Sequence, residues 1–192
     1  MNLKFKRHIN RPLIALLTGI TFATYHTGHS QTPFNPTLRH RYTPYETHGG
    51  IHNPYISIDE SYRIAVANNL GLLSFTGAEW KLVPLPNGTQ SRSVWAHEGS
   101  VFCGGQGFVG IYSESTETRE ANWTDLTDSV QNVSGPIEDV WRLYGEVDGA
   151  HFKVIIATDD FLGAFDERGS YRQWHDGSII NAFKSSVGIG VQ

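Results

Sequence analysis

The sequence has 192 residues, of which 15 are Lys or Arg and 19 are Asp or Glu, giving a formal net charge of −4. A moderately acidic chain of this length supports one hydrophobic core and is a poor candidate for binding nucleic acid or anionic lipid. Cys103 is the only cysteine, which excludes an internal disulfide framework. Because it lies among apolar residues of a predicted strand, we expect a small buried core residue rather than a reactive thiol.

Residues 1–30 have the pattern of an export signal. The segment begins with four basic residues, Lys4, Lys6, Arg7 and Arg11. An apolar stretch over 12–23 follows, and Gly28 and Ser30 supply the small residues of a cleavage site. This stretch is shorter than the roughly 20 residues of a membrane span. We therefore predict cleavage near Ser30 rather than an uncleaved anchor, and an exported, periplasmic product with net charge −8, because residues 1–30 hold no acidic residue.

Residues 31–54 are predicted to be a proline-rich lead-in. Four prolines interrupt this polar segment: Pro33, Pro36, Pro44 and Pro54. The segment also holds His40, His48 and His52, but no acidic residue or cysteine stands at a known ligand spacing from them. We expect no metal site there.

Repeated short strands begin at residue 55. The same order of features occurs three times: an apolar strand, a polar turn, a second strand and then a tryptophan on a third strand. It occurs in segments 62–86, 99–126 and 152–174. The tryptophans are Trp80, Trp123 and Trp174, spaced by 43 and 51 residues. A further apolar-aromatic strand precedes two of the units, at 93–97 and 139–143, and looser counterparts lie at 55–59 and 179–183. A repeat of about 40–50 residues with four strands is typical of a β-propeller blade.

The sequence thus predicts an all-β, propeller-like fold of four-stranded antiparallel blades with no convincing amphipathic helix. The predicted domains are a signal peptide (1–30), a lead-in (31–54) and a partial propeller (55–192), with blades at about 55–86, 92–126 and 137–174 and an incomplete fourth at 178–192. Because closed propellers have about 4–8 blades, we expect an open arc, and a fragment of a longer protein.

Gly105, Gly107 and Gly110 spell G-x-G-x-x-G directly after an apolar run. A dinucleotide-binding fingerprint requires a helix after the glycine turn, with its N-terminus at the pyrophosphate. The segment after Gly110 has no apolar helical face, and the other repeats lack the glycines. We therefore interpret them as turn and strand-packing residues, and we expect no cofactor.

One ordered set of residues resembles a known family. It comprises Ile58-Asp59, Val66-Ala67-Asn68-Asn69, Gly71-Leu72-Leu73, Phe75, Gly77, Trp80 and Leu85-Pro86. This order, together with "SVFCGGQGFVGIYS" (100–113), resembles the ligand-binding sensor propellers of two-component-regulator type, which are exported bacterial receptors. The resemblance covers about residues 32–190. Thr76, where the family usually has aspartate, and the A–B turn at 59–63, which lacks a glycine, depart from its pattern.

The resemblance implies a periplasmic ligand-sensing segment of a two-component-type or one-component transmembrane receptor. Its partners would be a small polar or glycan ligand, the remaining blades and output domains of a longer chain, and a second receptor copy in a dimer. The resemblance implies no enzymatic activity. Two alternatives stay open: an exported propeller enzyme acting on a polysaccharide or peptide, and a structural scaffold for protein interactions.

Candidate ligand contacts follow from the meander order of the strands. The turns between the second and third strand of each blade lie on one face, and they hold Asn68, Asn69, Gln106, Asp159 and Asp160. Their side chains could bind a polar ligand, although Asn and Asp also favour turns for conformational reasons. No catalytic set is apparent, because the neighbouring carboxylates Glu138-Asp139 and Asp159-Asp160 point apart on a strand or turn. His97, His151 and His175 are expected to be exposed turn residues.

Overall fold

A computed structural model describes residues 40–114, 120–177, 182–185 and 188–191. The chain divides into two units, Met1–Arg41 and Tyr42–Gln192. The predicted signal peptide lies outside the described residues, as do the first part of the lead-in and most of the fourth predicted A strand. All the elements below belong to the second unit.

Three four-stranded antiparallel sheets form the body of this unit. Blade 1 consists of β1 (Tyr55–Ile58), β2 (Ile64–Asn68), β3 (Gly71–Phe75) and β4 (Trp80–Val83). Blade 2 consists of β5 (Ser91–His97), β6 (Ser100–Gly105), β7 (Phe108–Glu114) and β8 (Ala121–Asp125). Blade 3 consists of β9 (Arg142–Asp148), β10 (His151–Ala157), β11 (Phe161–Asp166) and β12 (Tyr171–Asp176). A two-stranded sheet of β13 (Ala182–Ser185) and β14 (Gly188–Val191) follows.

Within each blade the strands are hydrogen-bonded in chain order and are called A, B, C and D. Three complete blades and one two-stranded sheet form an open arrangement. The prediction of an all-β fold with propeller-like four-stranded blades is confirmed.

The blades pack face to face, because their strands are apolar on both sides. In blade 2, Cys103 packs toward blade 1 and its neighbour Phe102 packs toward blade 3. Successive side chains of a strand point to opposite faces, so a continuous apolar run fills two interfaces at once. The first interface includes Ala65, Ala67, Leu72 and Val83 against Val94, Ala96, Val101, Phe108 and Tyr112. The second includes Val109 and Val140 against Leu143, Val154, Ile156, Phe161 and Phe165.

The three glycines of the G-x-G-x-x-G sequence lie in the β6–β7 hairpin. Gly107 has φ = 64° in the turn, a conformation that glycine adopts without strain. A Cβ on Gly110 would lie 2.5 Å from the ring of Phe108 and 2.9 Å from the Thr124 carbonyl oxygen. The chain continues after Gly107 as strand β7, so the helix that a dinucleotide site requires is not at this position. The interpretation as turn and packing residues is confirmed.

Two short helices were not predicted. Helix α1 (Pro44–Thr47) lies in the lead-in, with Thr43 and Glu46 forming a capping box. Helix α2 (Thr127–Ser134) lies between blades 2 and 3, and its only buried residue is Val130. One buried apolar residue in two turns gives no helical periodicity, so the expectation of no helix after residue 55 was wrong.

Candidate ligand-binding face

One face of the blades is formed by the turns between strands B and C, and we call it the B–C turn face. The connections from the D strands of blades 1 and 2 to the next A strands run over the same face. The Gln106 carbonyl oxygen accepts hydrogen bonds from Asn87 Nδ2 (2.9 Å) and Thr89 Oγ1 (2.8 Å) of one connection. Gly107 N donates to the Glu138 carbonyl oxygen at 2.7 Å, and Glu138 belongs to the next connection, between blades 2 and 3. The turn of blade 2 is thus held between two connections, as the meander order predicts.

Asn68 is not available to a ligand, which corrects the sequence-based expectation for this residue. It is 0% exposed, and its side chain is used by the lead-in. Its Oδ1 accepts from Gly50 N (3.0 Å) and Leu70 N (2.9 Å). Its Nδ2 donates to three oxygens, those of Gly50 (2.9 Å), His52 (3.3 Å) and the Asn53 side chain (2.6 Å). Asn68 therefore fastens the lead-in to the first B–C turn.

Asn69 also holds the lead-in on blade 1, through fewer and longer hydrogen bonds. Its backbone N–H donates to the His52 carbonyl oxygen at 3.1 Å, and its Oδ1 accepts from His52 N at 3.4 Å. The side chain is half-buried. The lead-in therefore covers the turn of blade 1, and a ligand on this face would have to bind nearer blades 2 and 3.

Gln106 and Asp159 are brought to the two sides of one segment, residues 138–141, and both are exposed. Gln106 pairs with Asp139 in an isolated antiparallel bridge. On the other side, Trp141 N donates to the Ala157 carbonyl oxygen at 3.0 Å, and its indole Nε1 donates to Asp159 Oδ1 at 2.9 Å. This segment therefore joins the B–C turns of blades 2 and 3.

Asp160 lies next to Asp159 and is also exposed. Its backbone N–H donates to Thr158 Oγ1 at 3.2 Å, and its carbonyl oxygen accepts from Gly177 N at 2.7 Å. These backbone contacts fix the β10–β11 turn.

Four side chains form what we call the Trp141 cluster: Arg92, Asp139, Trp141 and Asp159. Arg92 Nε lies 3.0 Å from Asp139 Oδ1, and both side chains are mostly buried. The Arg92 guanidinium carbon lies 4.8 Å from the centroid of the Trp141 ring. Because Arg92 and Asp159 hold the indole from two directions, its orientation is fixed although 38% of the residue is exposed.

The cluster has the composition of a polar-ligand site. A fixed, exposed indole offers a flat apolar surface, and the exposed carboxylate of Asp159 beside it accepts hydrogen bonds. Aromatic surfaces with a few oriented polar groups are typical of small-molecule sites. No proton donor and nucleophile pair is needed for this type of binding.

Sequence reasoning missed Trp141 because it assigned 139–143 to an A strand. Strand β9 begins at Arg142, so Trp141 belongs to the connection and lies on the B–C turn face. The acidic pair Glu138-Asp139, which Val140 separates from Trp141, was the signal that the connection had not yet ended.

The opposite face holds an inter-blade contact that corrects the expectation for His97. Only 10% of its side chain is exposed, whereas an exposed turn residue was expected, and Nδ1 lies 2.6 Å from Glu60 Oε1. The ring stacks on Trp95 with centroids 5.0 Å apart. Glu98 N donates to Glu60 Oε2 at 3.0 Å, and this hydrogen bond, with that to His97, holds the pKa of Glu60 below its usual range. His151 and His175 are exposed, as predicted.

Cys103 is fully buried, with Ser91 Oγ 3.1 Å from its sulfur. Burial raises the pKa of the Cys103 thiol to about 12. The prediction of a buried core residue is confirmed. Within the part of the chain that the structure describes, no three His, Cys, Asp or Glu residues are grouped so as to hold a metal ion. Among the same residues, no helix has the length and hydropathy to cross a membrane.

No protein-family model matches the sequence, and no curated protein matches it. The solved structures that are similar to it include two of BT4673 from B. thetaiotaomicron. One is the extracellular domain of a proposed one component system, with 14% identity and a TM-score of 0.46 over 74% of this chain and 20% of that chain. The other is the extracellular domain of a proposed hybrid two component system, with 13% identity and a TM-score of 0.48 over 72% and 19%.

The chain thus spans about a fifth of the length of these two structures. Both are structures of extracellular domains.

Proposed function

We propose that this chain is the ligand-sensing segment of an exported bacterial receptor, and that the ligand binds on the B–C turn face at the Trp141 cluster. The sensing role is supported by the ordered residues between Asn68 and Pro86, which resemble sensor propellers. The observation that carries the location is the indole of Trp141, fixed by Arg92 and Asp159 and 38% exposed.

The proposed ligand is a small polar molecule or a glycan. A sugar ring offers an apolar face for the indole and hydroxyl groups for the carboxylate of Asp159. The proposal includes a periplasmic location, which is supported by the signal pattern of residues 1–30. It also includes membership of a longer receptor, with further blades, an output domain and a dimeric state.

Binding tests the proposal directly. The chain is titrated with a panel of oligosaccharides by calorimetry, and the ligand that binds is tested against Trp141→Ala. Loss of the stacking surface is expected to weaken binding by about tenfold or more. Trp174→Ala is the matched control, because Trp174 is similarly exposed at 45% but lies on the outer strand of blade 3.

Equal affinity of the Trp141→Ala variant and the unaltered chain would refute the proposed site. The same samples separate sensing from catalysis, since mass spectrometry of the bound oligosaccharide is expected to find it intact. A cleaved product would favour the alternative of an exported propeller enzyme.

A further inference from the structure

A small cavity lies between blades 1 and 2, at the end of their interface where the A–B turns are. Its volume is about 10 Å³. Blade 1 contributes Asp59, Arg63 and Ser74 to its polar lining, and blade 2 contributes Tyr112. The rest of its lining is apolar or glycine. Because both blades that enclose the cavity are complete, its walls do not depend on any further blade.

The hydroxyl of Tyr112 is a buried polar group at this cavity. Tyr112 is 3% exposed, and its ring packs on Trp123 with centroids 5.4 Å apart. Among the described residues, the hydroxyl oxygen is buried and has no hydrogen-bond partner. Lys81 approaches it, but Lys81 Nζ is bound by Glu114 at 3.0 Å. An unpaired buried hydroxyl is destabilising, and such groups are paired in most folded proteins, so this one requires a partner.

Two further polar groups, both from blade 1, line the cavity. Ser74 of strand β3 is buried, and its hydroxyl is both a donor and an acceptor. Arg63 binds Asp59 Oδ2 through Nε at 2.9 Å, which leaves the terminal N–H groups of the guanidinium as donors. A Cβ on Gly99 would lie 2.7 Å from Arg63 Nη2, so the guanidinium extends to the blade 2 side of the cavity. The cavity therefore combines a hydroxyl from each blade with a charged donor.

We propose that one water molecule occupies this cavity and joins Tyr112 Oη to Ser74 Oγ and to the Arg63 guanidinium. A buried water needs a cavity of about 10–15 Å³ and two to four polar partners. The volume of about 10 Å³ admits one water and excludes a larger ligand. The water satisfies the Tyr112 hydroxyl and links blade 1 to blade 2 through hydrogen bonds. This site is independent of the proposed ligand at the Trp141 cluster.

Thermal unfolding of three variants tests the water site. Tyr112→Phe removes one partner of the water and is expected to lower Tm by about 2–4 °C. Ser74→Ala is expected to lower Tm as well, and the double variant is expected to lose less than the sum, because both changes act on the same water. Tyr62→Phe is the matched control, since Tyr62 is 84% exposed and its hydroxyl is open to solvent.

A high-resolution crystal structure of the unaltered chain tests the site without any substitution. It is expected to show one water about 2.5–3.0 Å from Tyr112 Oη and within hydrogen-bond distance of Ser74 or Arg63. An unchanged or raised Tm in Tyr112→Phe would overturn the proposal, because it would mean that the hydroxyl is not bonded in the folded chain. Additive losses in the double variant, an empty cavity, or a direct hydrogen bond from Tyr112 Oη to a protein atom would overturn it too.

Discussion

Replacing Asn68 with alanine removes the side chain that fastens the lead-in to blade 1. The side chain takes part in five hydrogen bonds, two accepted by Oδ1 and three donated by Nδ2. The residue is 0% exposed, so alanine leaves a small cavity as well as unpaired groups on both sides. The most costly are the N–H groups of Gly50 and Leu70, because each loses the acceptor that the Asn68 side chain provides.

The expected loss follows from these contacts. A hydrogen bond contributes about 1 kcal/mol net, and a buried group left unpaired costs about 1–3 kcal/mol. Once the lead-in is released, water can reach it and replace part of the lost hydrogen bonding. We therefore expect Asn68→Ala to lower the free energy of unfolding by about 3 kcal/mol. For a chain of this size, that corresponds to a fall in Tm of about 6–12 °C.

Urea unfolding and thermal unfolding followed by circular dichroism measure this loss. Asn69→Ala is the control, since it removes one side-chain hydrogen bond of 3.4 Å and leaves the backbone bond to His52 in place. We expect it to cost about 0.5 kcal/mol. Equal effects of the two substitutions would refute the conclusion that Asn68 is a structural residue and not a ligand contact.

Two further predictions concern buried ionisable groups. Cys103 in the folded chain is expected to resist a maleimide reagent near pH 8, because its pKa is raised to about 12, and to react once urea unfolds the chain; labelling at the same rate in both states would contradict its burial. Burial raises the pKa of Asp59, but hydrogen bonds from Arg63 and Ser61 outweigh it, so the folded-state pKa lies below the usual value. The stability from Asp59 is therefore present above the unfolded pKa of about 4 and is lost as pH falls through the folded pKa. Urea unfolding from about pH 7 to about pH 3 is expected to show a smaller loss of stability in Asp59→Asn, and identical slopes would count against this assignment.

The blades could be predicted because their pattern is local and repeated. Each unit presents an apolar strand, a turn and a tryptophan in fixed order, and face-to-face packing of blades needs only that order. Trp80, Trp123 and Trp174 all lie on D strands, as expected. Helix α2 could not be predicted, since Val130 is its only buried residue and its other contacts are hydrogen bonds of Thr127 and Ser134 to distant strands.

The candidate site was predicted less well because it depends on contacts between distant segments. The turn at Asn68-Asn69 looks like an exposed asparagine turn until the lead-in, 15 to 18 residues earlier, covers it. Trp141 looked like a strand residue because an apolar aromatic run fits a strand. The pairing of β9 with β10 ends with Arg142 opposite Ala157. This pairing shows that the strand begins at Arg142, one residue after Trp141.

The central claim is that a polar ligand contacts Trp141, and fluorine NMR of fluorotryptophan-labelled chain tests it most directly. The five tryptophans give separate signals, each assigned by substitution with phenylalanine. On addition of the oligosaccharide that binds, we expect the Trp141 signal to shift while those of Trp80 and Trp174, on the outer strands of blades 1 and 3, stay in place. A saturable shift of another tryptophan with Trp141 unmoved would contradict it.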